Sequence, residues 1–209
     1  MSEASDPIFA RIARRYDFIN TLLSFGREQA WRRRGVAHLP PGRILDLGSG
    51  TGAADPVLSG FDVVGLDPVS EMLQLSPMKD RVVAIGESMP FADESFDGVF
   101  SAYVFRNLTS IDETLNEIRR ILKPGGKAVI VDLSRPRNPL LRLLHQLGSA
   151  IALPLAGLIV RASADYWYLH KSLDKLPPAE ELYRDRALRL ERTWRMGPFG
   201  FVYGVVLAK

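Results

Sequence analysis

Short runs of consecutive apolar residues recur along the chain, separated by glycine, proline or polar residues that favour turns. Uninterrupted valine, isoleucine and leucine runs are typical of strands buried on both faces, as in a parallel sheet. The pattern predicts successive strands over residues 43–47, 61–67, 81–86, 96–103 and 127–133. Two further runs, 188–196 and 199–208, flank a tight turn and predict an antiparallel hairpin.

An amphipathic period marks a helix before the fifth predicted strand. Ser110 and Glu113 have the spacing of a capping box, and the apolar residues that follow them fall on one helix face. The Pro-Gly-Gly sequence at 124–126 predicts the end of this helix. Other helices are predicted after Asp6 and Pro7, around 20–25, over 28–35 and through most of 134–186.

Strands that alternate with helices predict a doubly wound α/β fold. We expect a mostly parallel seven-stranded sheet with an antiparallel C-terminal edge strand. A chain of 209 residues that is 46% hydrophobic fits a single domain. Its predicted parts are an N-terminal helical cap over 1–40, a core over 41–133, a helical region over 134–186 and C-terminal strands over 187–209.

Composition excludes several kinds of chemistry. The absence of cysteine excludes disulfides, thiolate metal sites and a cysteine nucleophile, and the histidines have no metal-ligand spacing. The net charge of +3 demands no anionic partner. The N-terminal sequence lacks the apolar region of a secretory signal, and the longest apolar run, 147–160, contains Pro154 and is too short to span a bilayer. We therefore expect a cytoplasmic protein without a bound metal.

The sequence ILDLGSGTGAAD places Gly48, Gly50 and Gly52 on alternate positions directly after the first strand. Glycines at this density mark a backbone that turns sharply or approaches another group closely. In a doubly wound sheet, ligands bind at the carboxyl ends of the strands. Asp67 ends the second strand, roughly 20 residues further on, where a carboxylate accepts hydrogen bonds from ribose hydroxyls. The two features predict a nucleoside cofactor.

Two kinds of nucleoside cofactor remain open at this point. A dinucleotide needs a helix N-terminus for its pyrophosphate, and the segment after the glycine loop is a weak helix that breaks at Ser59 and Gly60. Asp46, within the first strand, suits a cationic amine instead. S-adenosylmethionine carries such an amine, a cationic sulfonium and no phosphate. The residues favour S-adenosylmethionine over a nicotinamide cofactor without deciding between them.

The chain also resembles a known family. The segments LDLGSGTG, GLD, ESMPFADESFDGVF, RNL and LKPGG, in this order, are similar to the motifs of class I S-adenosylmethionine-dependent methyltransferases, which have a Rossmann-like fold. The segments IFARIARRYDFINTLLSFGREQAWRRRG, FRNLTSIDETLNEIRRILKPGG and ADYWYLHKSL are similar to the ubiquinone/menaquinone biosynthesis C-methyltransferases. The resemblance covers nearly the whole chain and implies methylation of a demethylated lipid quinone such as demethylmenaquinone. A methyltransferase for another small molecule and a non-catalytic cofactor-binding relative are the alternatives.

The resemblance implies which residues bind S-adenosylmethionine. They lie in the N-terminal helix, the glycine loop and the ends of the strands: Tyr16, Asp46, Gly48, Ser49, Gly50, Thr51, Gly52, Asp67, Pro68, Gly86, Glu87, Ser88 and Ala102. Tyr16 is equally compatible with packing on the sheet edge. Three positions depart from the family. Ile85 stands where an Asp or Asn usually contacts the adenine amino group, Ala53 where an acid is common, and Ala102 where a serine is frequent.

Methylation of a quinol ring carbon requires the removal of a phenolic proton by a base within hydrogen-bond reach. The candidate catalytic residues are Arg106, Asn107, Asp132 and Tyr166. Arg106 would stabilise the phenolate oxygen, Asn107 would orient the ring or a water, and Asp132 is a candidate base at the end of a strand. Tyr166 lies in the helical region, which is a candidate lid. The alternatives are a turn in which Arg106 pairs with Asp132 or Asp112, and ordinary packing of Tyr166.

The expected partner is a small-molecule substrate, a prenylated quinol. The apolar segment 140–160 is predicted to line a tunnel for the prenyl tail or to rest on a membrane, with Arg135, Arg137 and Arg142 facing headgroups. A helical hairpin packed on the sheet is the alternative. A homodimer is compatible with these features. No nucleic-acid partner is expected, because the chain has no RNA-binding motif.

Overall fold

In the computed structural model, structure is described for residues 21, 24, 26–136, 138–159 and 177–209. The strands within these residues are β1 (Arg43–Leu47), β2 (Asp62–Asp67), β3 (Asp80–Val83), β4 (Phe96–Ala102), β5 (Leu122–Leu133), β6 (Arg189–Met196) and β7 (Val202–Ala208). They form one seven-stranded sheet in the order β3-β2-β1-β4-β5-β7-β6. The predicted doubly wound α/β fold is therefore confirmed.

Six α-helices are described: α1 (Glu28–Val36), α2 (Asp55–Leu58), α3 (Ser70–Leu73), α4 (Ile111–Ile121), α5 (Pro139–Ile159) and α6 (Ala179–Leu182). Two short 3₁₀ turns cover Phe105–Asn107 and Pro198–Gly200. The predicted cap of α4 is present, because the Ser110 hydroxyl oxygen accepts a hydrogen bond from the Glu113 amide at 3.2 Å.

The order of the strands creates a crevice beside β1. The chain passes from β1 to β2 on one side and later returns from β3 to β4 on the other side. Both strands pair with β1 in parallel. The connections that follow β1 and β4 therefore leave the sheet in opposite directions, and an open crevice forms at the carboxyl ends between them.

The C-terminal hairpin closes the other side of the sheet. β7 runs antiparallel to both β5 and β6, so β6 is the outermost strand. Gly197 and Gly200, with φ of 72° and 71°, bracket the connecting turn. The predicted antiparallel hairpin is confirmed, and its antiparallel member, β7, lies one strand in from the edge.

One strand begins earlier than its apolar run suggests. β5 is predicted from residue 127 but begins at Leu122, which pairs with Phe96 before an irregularity in the register. Helix α4 ends just before the Pro-Gly-Gly sequence, which itself lies within the strand. A glycine-rich segment is therefore compatible with the start of a strand where the partner strand is also irregular.

Helices cover both faces of the sheet. α4 buries Leu115, Ile118 and Ile121 against one face, and α1 packs against the other. The approach of α1 is close, because a Cβ on Gly35 would lie 2.7 Å from Cγ2 of Val131. This contact fixes α1 beside the crevice.

Candidate active site

The glycine loop has an unusual backbone that explains its sequence. Gly48, Gly50 and Gly52 all have positive φ, at 72°, 53° and 81°. Side chains are also excluded at two of these positions. A Cβ on Gly48 would lie 2.2 Å from Cγ2 of Val104, and one on Gly52 would lie 2.6 Å from Oγ of Ser76. Alternate glycines are needed because the loop turns in the left-handed region three times while it packs against its neighbours.

Asp67 joins the glycine loop to the end of β2. One of its oxygens accepts a hydrogen bond from the Gly50 amide and the other from the Val69 amide, each at 2.9 Å. The side chain is buried and faces the crevice. A carboxylate has two acceptor sites on each oxygen, so an acid at this position can accept hydrogen bonds from hydroxyl groups as well as from amides.

The crevice contains a cavity of about 960 Å³, including the solvent at its mouth. The loops after β1, β2 and β4 and the segment after β3 form its walls. The predicted site residues that line it are Asp46, Gly48, Ser49, Gly50, Thr51, Asp67, Pro68, Gly86, Glu87, Ala102 and Asn107.

Other predicted residues lie elsewhere. Gly52 is turned towards Ser76 at the base of its loop and is not among the residues that line this cavity. Ser88 is also absent from the lining, and its amide donates to the carbonyl of Ile85 at 3.3 Å. Tyr16 and Tyr166 lie outside the described residues.

Asp46 is a buried acid on the wall of the cavity, with 2% of its surface exposed. Burial raises the pKa of its carboxyl to about 7, and Asp67 and Asp55 add to this rise, while Arg32 opposes it. Its Oδ2 atom has no hydrogen-bond partner within the described part of the chain. A cation in the cavity would therefore meet a buried acid with one oxygen that no described residue binds.

Two residues of the wall were not anticipated from the sequence. Arg32 of α1 is buried in the cavity wall, and its guanidinium carbon lies 5.1 Å from the ring centre of Tyr103. Tyr103, directly after β4, has φ of 68°. Arg33 and Arg34 beside Arg32 are exposed. The sequence did not reveal the position of Arg32, because three consecutive arginines are typical of a solvent-exposed helix face. In the structure, the helix turns Arg32 inward and leaves its two neighbours exposed.

Part of the cavity lining is apolar. Val69 and Met72 are buried beside it, and Ile85 and Leu108 complete the apolar surface. Such a slot suits a flat heterocyclic ring, because apolar contact with both ring faces needs no charged partner. Ile85, which departs from the family pattern, is therefore consistent with its surroundings.

Glu87 is engaged in holding the wall together. Its Oε1 atom accepts hydrogen bonds from the amides of Thr109 and Ser110, at 2.8 and 3.1 Å. The Ser110 amide is the group that the side chain of Glu113 would satisfy in a full capping box. Glu87 takes that position and ties the segment after β3 to the start of α4.

Arg106 and Asp132 form a buried ion pair behind the wall. Nη1 of Arg106 lies 2.6 Å from Oδ1 of Asp132, and their side chains are 5% and 0% exposed. The Leu133 amide also donates to Oδ1 of Asp132, at 2.7 Å. Neither charged residue lines the cavity, whereas Asn107, next in the same 3₁₀ turn, does. This is the turn with a salt bridge that the sequence left as an alternative.

The predicted lipid-facing arginines separate in the structure. Arg135 is buried, and its Nη1 atom lies 3.2 Å from Nδ1 of His145, so it does not face a headgroup. Arg142 is exposed on α5, and Arg137 lies outside the described residues. Within the described ranges, no helix is long and apolar enough to cross a membrane, and no cluster of three or more metal-ligating His, Asp or Glu side chains occurs.

Solved structures with a similar fold show which class of protein this fold belongs to. A chain from the complex between the Haloferax volcanii Trm112 methyltransferase activator and a methyltransferase superimposes with a TM-score of 0.70 and 20% sequence identity, over 98% of this chain and 97% of the other. A SAM-dependent methyltransferase from Thermotoga maritima gives a TM-score of 0.63 at 17% identity, over 97% and 98% of the two chains. The fold is that of the class I methyltransferases.

The sequence comparisons are more specific. The model of the ubiE/COQ5 methyltransferase family matches residues 2–186. The ubiquinone/menaquinone biosynthesis C-methyltransferase UbiE of Geotalea daltonii is 35% identical over 86% of this chain and 84% of its own length. The demethylmenaquinone methyltransferase of Thermus thermophilus is 36% identical over 84% of this chain and 87% of its own length. The chain belongs to the ubiE/COQ5 methyltransferase family, as its motifs predicted.

Proposed function

We propose that this methyltransferase uses S-adenosylmethionine to methylate a ring carbon of a demethylated quinol, such as demethylmenaquinol. The observation that carries the proposal is the cavity at the end of β1. Its walls contain Asp67, an acid placed to bind ribose hydroxyls, and Asp46, a buried acid suited to an amine. They also contain an apolar slot. The UbiE and demethylmenaquinone methyltransferase relatives supply the class of acceptor.

The cavity walls fit the three chemical parts of the cofactor. The carboxylate of Asp67 would accept hydrogen bonds from the ribose hydroxyls, as an acid at the end of the second strand does in related folds. The slot formed by Val69, Met72 and Ile85 would hold the adenine between apolar side chains. Asp46 and the glycine loop would receive the methionine part.

We expect adenine to bind although position 85 has no polar side chain. The Oε1 atom of Glu87 accepts hydrogen bonds from the amides of Thr109 and Ser110. Recognition of the adenine amino group would therefore fall to the other oxygen of Glu87, to backbone carbonyls or to water in the slot. We expect adenine specificity to be looser than with an Asp or Asn at position 85.

When bound, S-adenosylmethionine supplies an electrophilic methyl group on a positively charged sulfur. The chain must orient the acceptor, exclude water and remove a phenolic proton. Asn107 lines the cavity, and its buried Oδ1 atom has no hydrogen-bond partner in the described structure. This oxygen would accept a hydrogen bond from the phenolic hydroxyl or from a water that carries the proton away.

Arg106 and Asp132 would support this step from behind the wall. Their ion pair anchors the 3₁₀ turn that presents Asn107. For Arg106 to stabilise a phenolate directly, its guanidinium would have to turn away from Asp132 and towards the cavity. The candidate role of Tyr166 remains a prediction of the sequence.

Helix α5, which follows β5, has a surface suited to a lipid acceptor. Leu140, Leu143, Leu144, Leu147 and Ile151 of α5 are 47–64% exposed and recur with a helical period. On the same helix, the His145 ring stacks on the Phe201 ring, with the ring centres 5.1 Å apart. We propose that this apolar stripe rests on a bilayer, from which a prenylated quinol is drawn.

Binding and turnover test the proposal together. We expect S-adenosylhomocysteine to bind in calorimetry and S-adenosylmethionine to support methylation of a short-chain demethylmenaquinol, detected by mass spectrometry. Asp67→Ala should abolish both the binding of S-adenosylhomocysteine and the methylation of the quinol. Asp62→Ala is the matched control, because Asp62 lies on the same strand with an exposed side chain. Cofactor binding without turnover of any quinol would favour a methyltransferase for another small molecule, and no binding would favour a non-catalytic relative.

A further inference from the structure

A second cavity lies at the end of the sheet where the parallel strands begin, on the face that α1 covers. Its volume is about 810 Å³, including the solvent at its mouth. The lining comes from the segment after α1 and from β5, β6 and β7, and it is mostly basic: His38, Lys127, Arg189, Leu190, Glu191, Arg192 and Val206. It shares none of these residues with the cavity at the carboxyl ends of the strands.

A bulge in the edge strand β6 gathers cations at this cavity. Arg189 pairs with Ala208 and Arg192 with Val206, so three steps along β6 match two steps along β7. In a regular strand, residues three apart point to opposite faces, whereas the bulge turns both arginines to the same face. Lys127 of β5 also pairs with Ala208 and shares that face. The backbone irregularity therefore brings three basic side chains to one side of the sheet.

His38 faces these cations from the segment after α1. Its ring centre lies 4.9 Å from that of Trp194, which holds the imidazole against the sheet. Burial lowers the pKa of His38 below its usual value, and the charges of Arg192, Arg34 and Lys127 lower it further. The imidazole is therefore neutral at pH 7 and presents one N–H donor beside the cations.

One carboxylate of the lining offsets only part of this charge. Glu191 forms ion pairs with Lys127 at 3.0 Å and with Arg189 at 2.7 Å. Arg34 and Arg192 are exposed, and neither forms an ion pair or a side-chain hydrogen bond with another described residue. Like charges near one another repel, and a bound anion relieves that repulsion. The cavity therefore has an excess of positive charge and two guanidinium groups with donors available.

These donors suit a phosphate group better than a carboxylate. A phosphate has up to two negative charges and three terminal oxygens, so it can accept charge-assisted hydrogen bonds from several cations at once. Arginine binds such a group through its planar fork, and lysine binds it as a point charge. A carboxylate has one charge and two oxygens, and Glu191 already supplies one carboxylate to this cluster.

We propose that this cavity binds the phosphate group of an anionic ligand, with Arg192, Lys127 and His38 as donors and Arg34 adding positive charge. The inference goes beyond the proposed function and does not depend on it. A phosphate group can reach the cavity on a soluble small molecule or on a phospholipid headgroup. The experiment below separates these two sources.

Inorganic pyrophosphate is the probe for the shared chemical group, and the NMR signal of the His38 ring is the readout. The sequence contains three histidines, so His38→Gln assigns this signal. We expect a saturable shift and a rise in the pKa of His38, because a bound polyanion offsets the neighbouring cations and favours the protonated imidazole. Sodium chloride keeps the ionic strength constant, since screening alone also weakens the effect of the cations.

Variants of opposite sign test the cavity itself. Arg192→Gln should weaken pyrophosphate binding by about 10-fold or more, through the loss of a charge-assisted contact. Arg119→Gln is the matched control and should change it by less than about twofold, because Arg119 is exposed on α4, which packs on the other face of the sheet. Glu191→Gln should strengthen binding by several-fold, because it removes a repulsive charge and releases Lys127 and Arg189. Thermal unfolding checks that each variant is folded.

Vesicles of phosphatidylcholine, with and without phosphatidate, test the lipid source. If the ligand is a headgroup, the wild-type protein and Arg119→Gln should co-sediment more with the phosphatidate vesicles. Arg192→Gln should lose this preference, and pyrophosphate should compete with it. If the ligand is a soluble molecule, Arg192→Gln should weaken pyrophosphate binding and leave co-sedimentation at the wild-type level.

Two results would overturn the inference. Pyrophosphate binding is expected for either source, so a His38 signal that shifts no more with pyrophosphate than with sodium chloride would mean that the cavity binds no phosphate group. Equal weakening in Arg192→Gln and Arg119→Gln would mean that pyrophosphate responds to the net charge of the protein and not to this cavity.

Discussion

The carboxylate of Asp67 accepts a hydrogen bond from the amide of Gly50 at 2.9 Å, so the acid that ends β2 also fixes the loop that follows β1. Asp67 therefore has a structural effect besides any contact with a ribose. Its removal leaves the buried amides of Gly50 and Val69 without this acceptor.

We expect Asp67→Ala to lower the free energy of unfolding by about 1–3 kcal/mol, the cost of leaving buried donors unsatisfied. Asp62→Ala, on the exposed start of the same strand, should change it by less than about 0.5 kcal/mol. Urea unfolding followed by circular dichroism measures both. Equal stability of the wild-type protein and Asp67→Ala would mean that water or a neighbouring group replaces the carboxylate.

Gly48 cannot carry a side chain without displacing Val104. Gly48→Ala should destabilise the protein by roughly 2–4 kcal/mol, from backbone strain at a φ of 72° and from a Cβ only 2.2 Å from Cγ2 of Val104. Gly48→Ala combined with Val104→Ala should recover the steric part and leave the strain. The measurement is the double-mutant cycle in urea. Strictly additive effects would contradict the contact.

The strands could be predicted from the sequence because each is an uninterrupted apolar run with a turn at its end. The pair Asp67 and Gly50 was also accessible, since an acid after the second strand and a glycine loop after the first meet at the same edge of a parallel sheet. The confirmed cap at Ser110 shows a local signal of the same kind. These features depend on residues close in sequence or on a regular topology.

The sequence did not identify Arg32 and Tyr103 as residues of the cavity wall, because that assignment depends on the direction in which each side chain points. Nothing in a row of three arginines distinguishes Arg32 from its exposed neighbours until the contact of α1 with the sheet is known. The candidate catalytic role of Arg106 could not be separated from a salt bridge, because that choice depends on a contact with Asp132, 26 residues away. The structural role of Glu87 was hidden for the same reason, since the amides that it binds belong to another element.

The titration of Asp46 predicts a pH-dependent stability. The usual pKa of an aspartate carboxyl is 3.8, and burial raises the pKa of Asp46 to about 7 in the folded protein. Between these values, only the unfolded chain loses the proton, so the free energy of unfolding should fall as the pH rises from about 4 to 7 and then level off. Urea unfolding across this range measures the effect, and Asp46→Asn should reduce the slope.

Asp46 should also make ligand affinity depend on pH, in the opposite direction to stability. An ammonium group favours the ionised carboxylate, so the affinity for S-adenosylhomocysteine should rise as the pH increases towards about 7–8. Below this range, binding should release a proton, which calorimetry detects as a dependence of the heat on the ionisation enthalpy of the buffer. Asp46→Asn should bind more weakly and without proton release. Proton release that persists in Asp46→Asn would assign the titration to another group.

The ion pair of Arg106 and Asp132 should be sensitive to the loss of one member. Asp132→Ala leaves the buried guanidinium without the carboxylate at 2.6 Å and should cost about 3–5 kcal/mol. Arg106→Met combined with Asp132→Leu should be less destabilising than Asp132→Ala, because no buried charge remains. Thermal and urea unfolding compare the variants. A double variant that is less stable than Asp132→Ala would contradict the electrostatic explanation.

The exposed stripe of α5 gives a test that does not depend on catalysis. Helix α5 contains no acidic residue, and Arg142 is exposed on it, so an anionic bilayer should be favoured over a neutral one. We expect the protein to co-sediment with vesicles of phosphatidylglycerol and phosphatidylcholine. Leu143→Gln combined with Leu147→Gln should reduce the bound fraction several-fold, because both side chains are more than half exposed.

The control variant for the stripe is Val83→Gln, another exposed apolar residue, at 61% exposure on the edge strand β3. It removes a similar exposed surface at a different place and should leave vesicle binding unchanged. Size-exclusion chromatography of the same variants distinguishes a bilayer from a second copy of the chain as the occupant. A wild-type dimer that dissociates in Leu143→Gln with Leu147→Gln, without binding to vesicles, would assign the stripe to a homodimer interface.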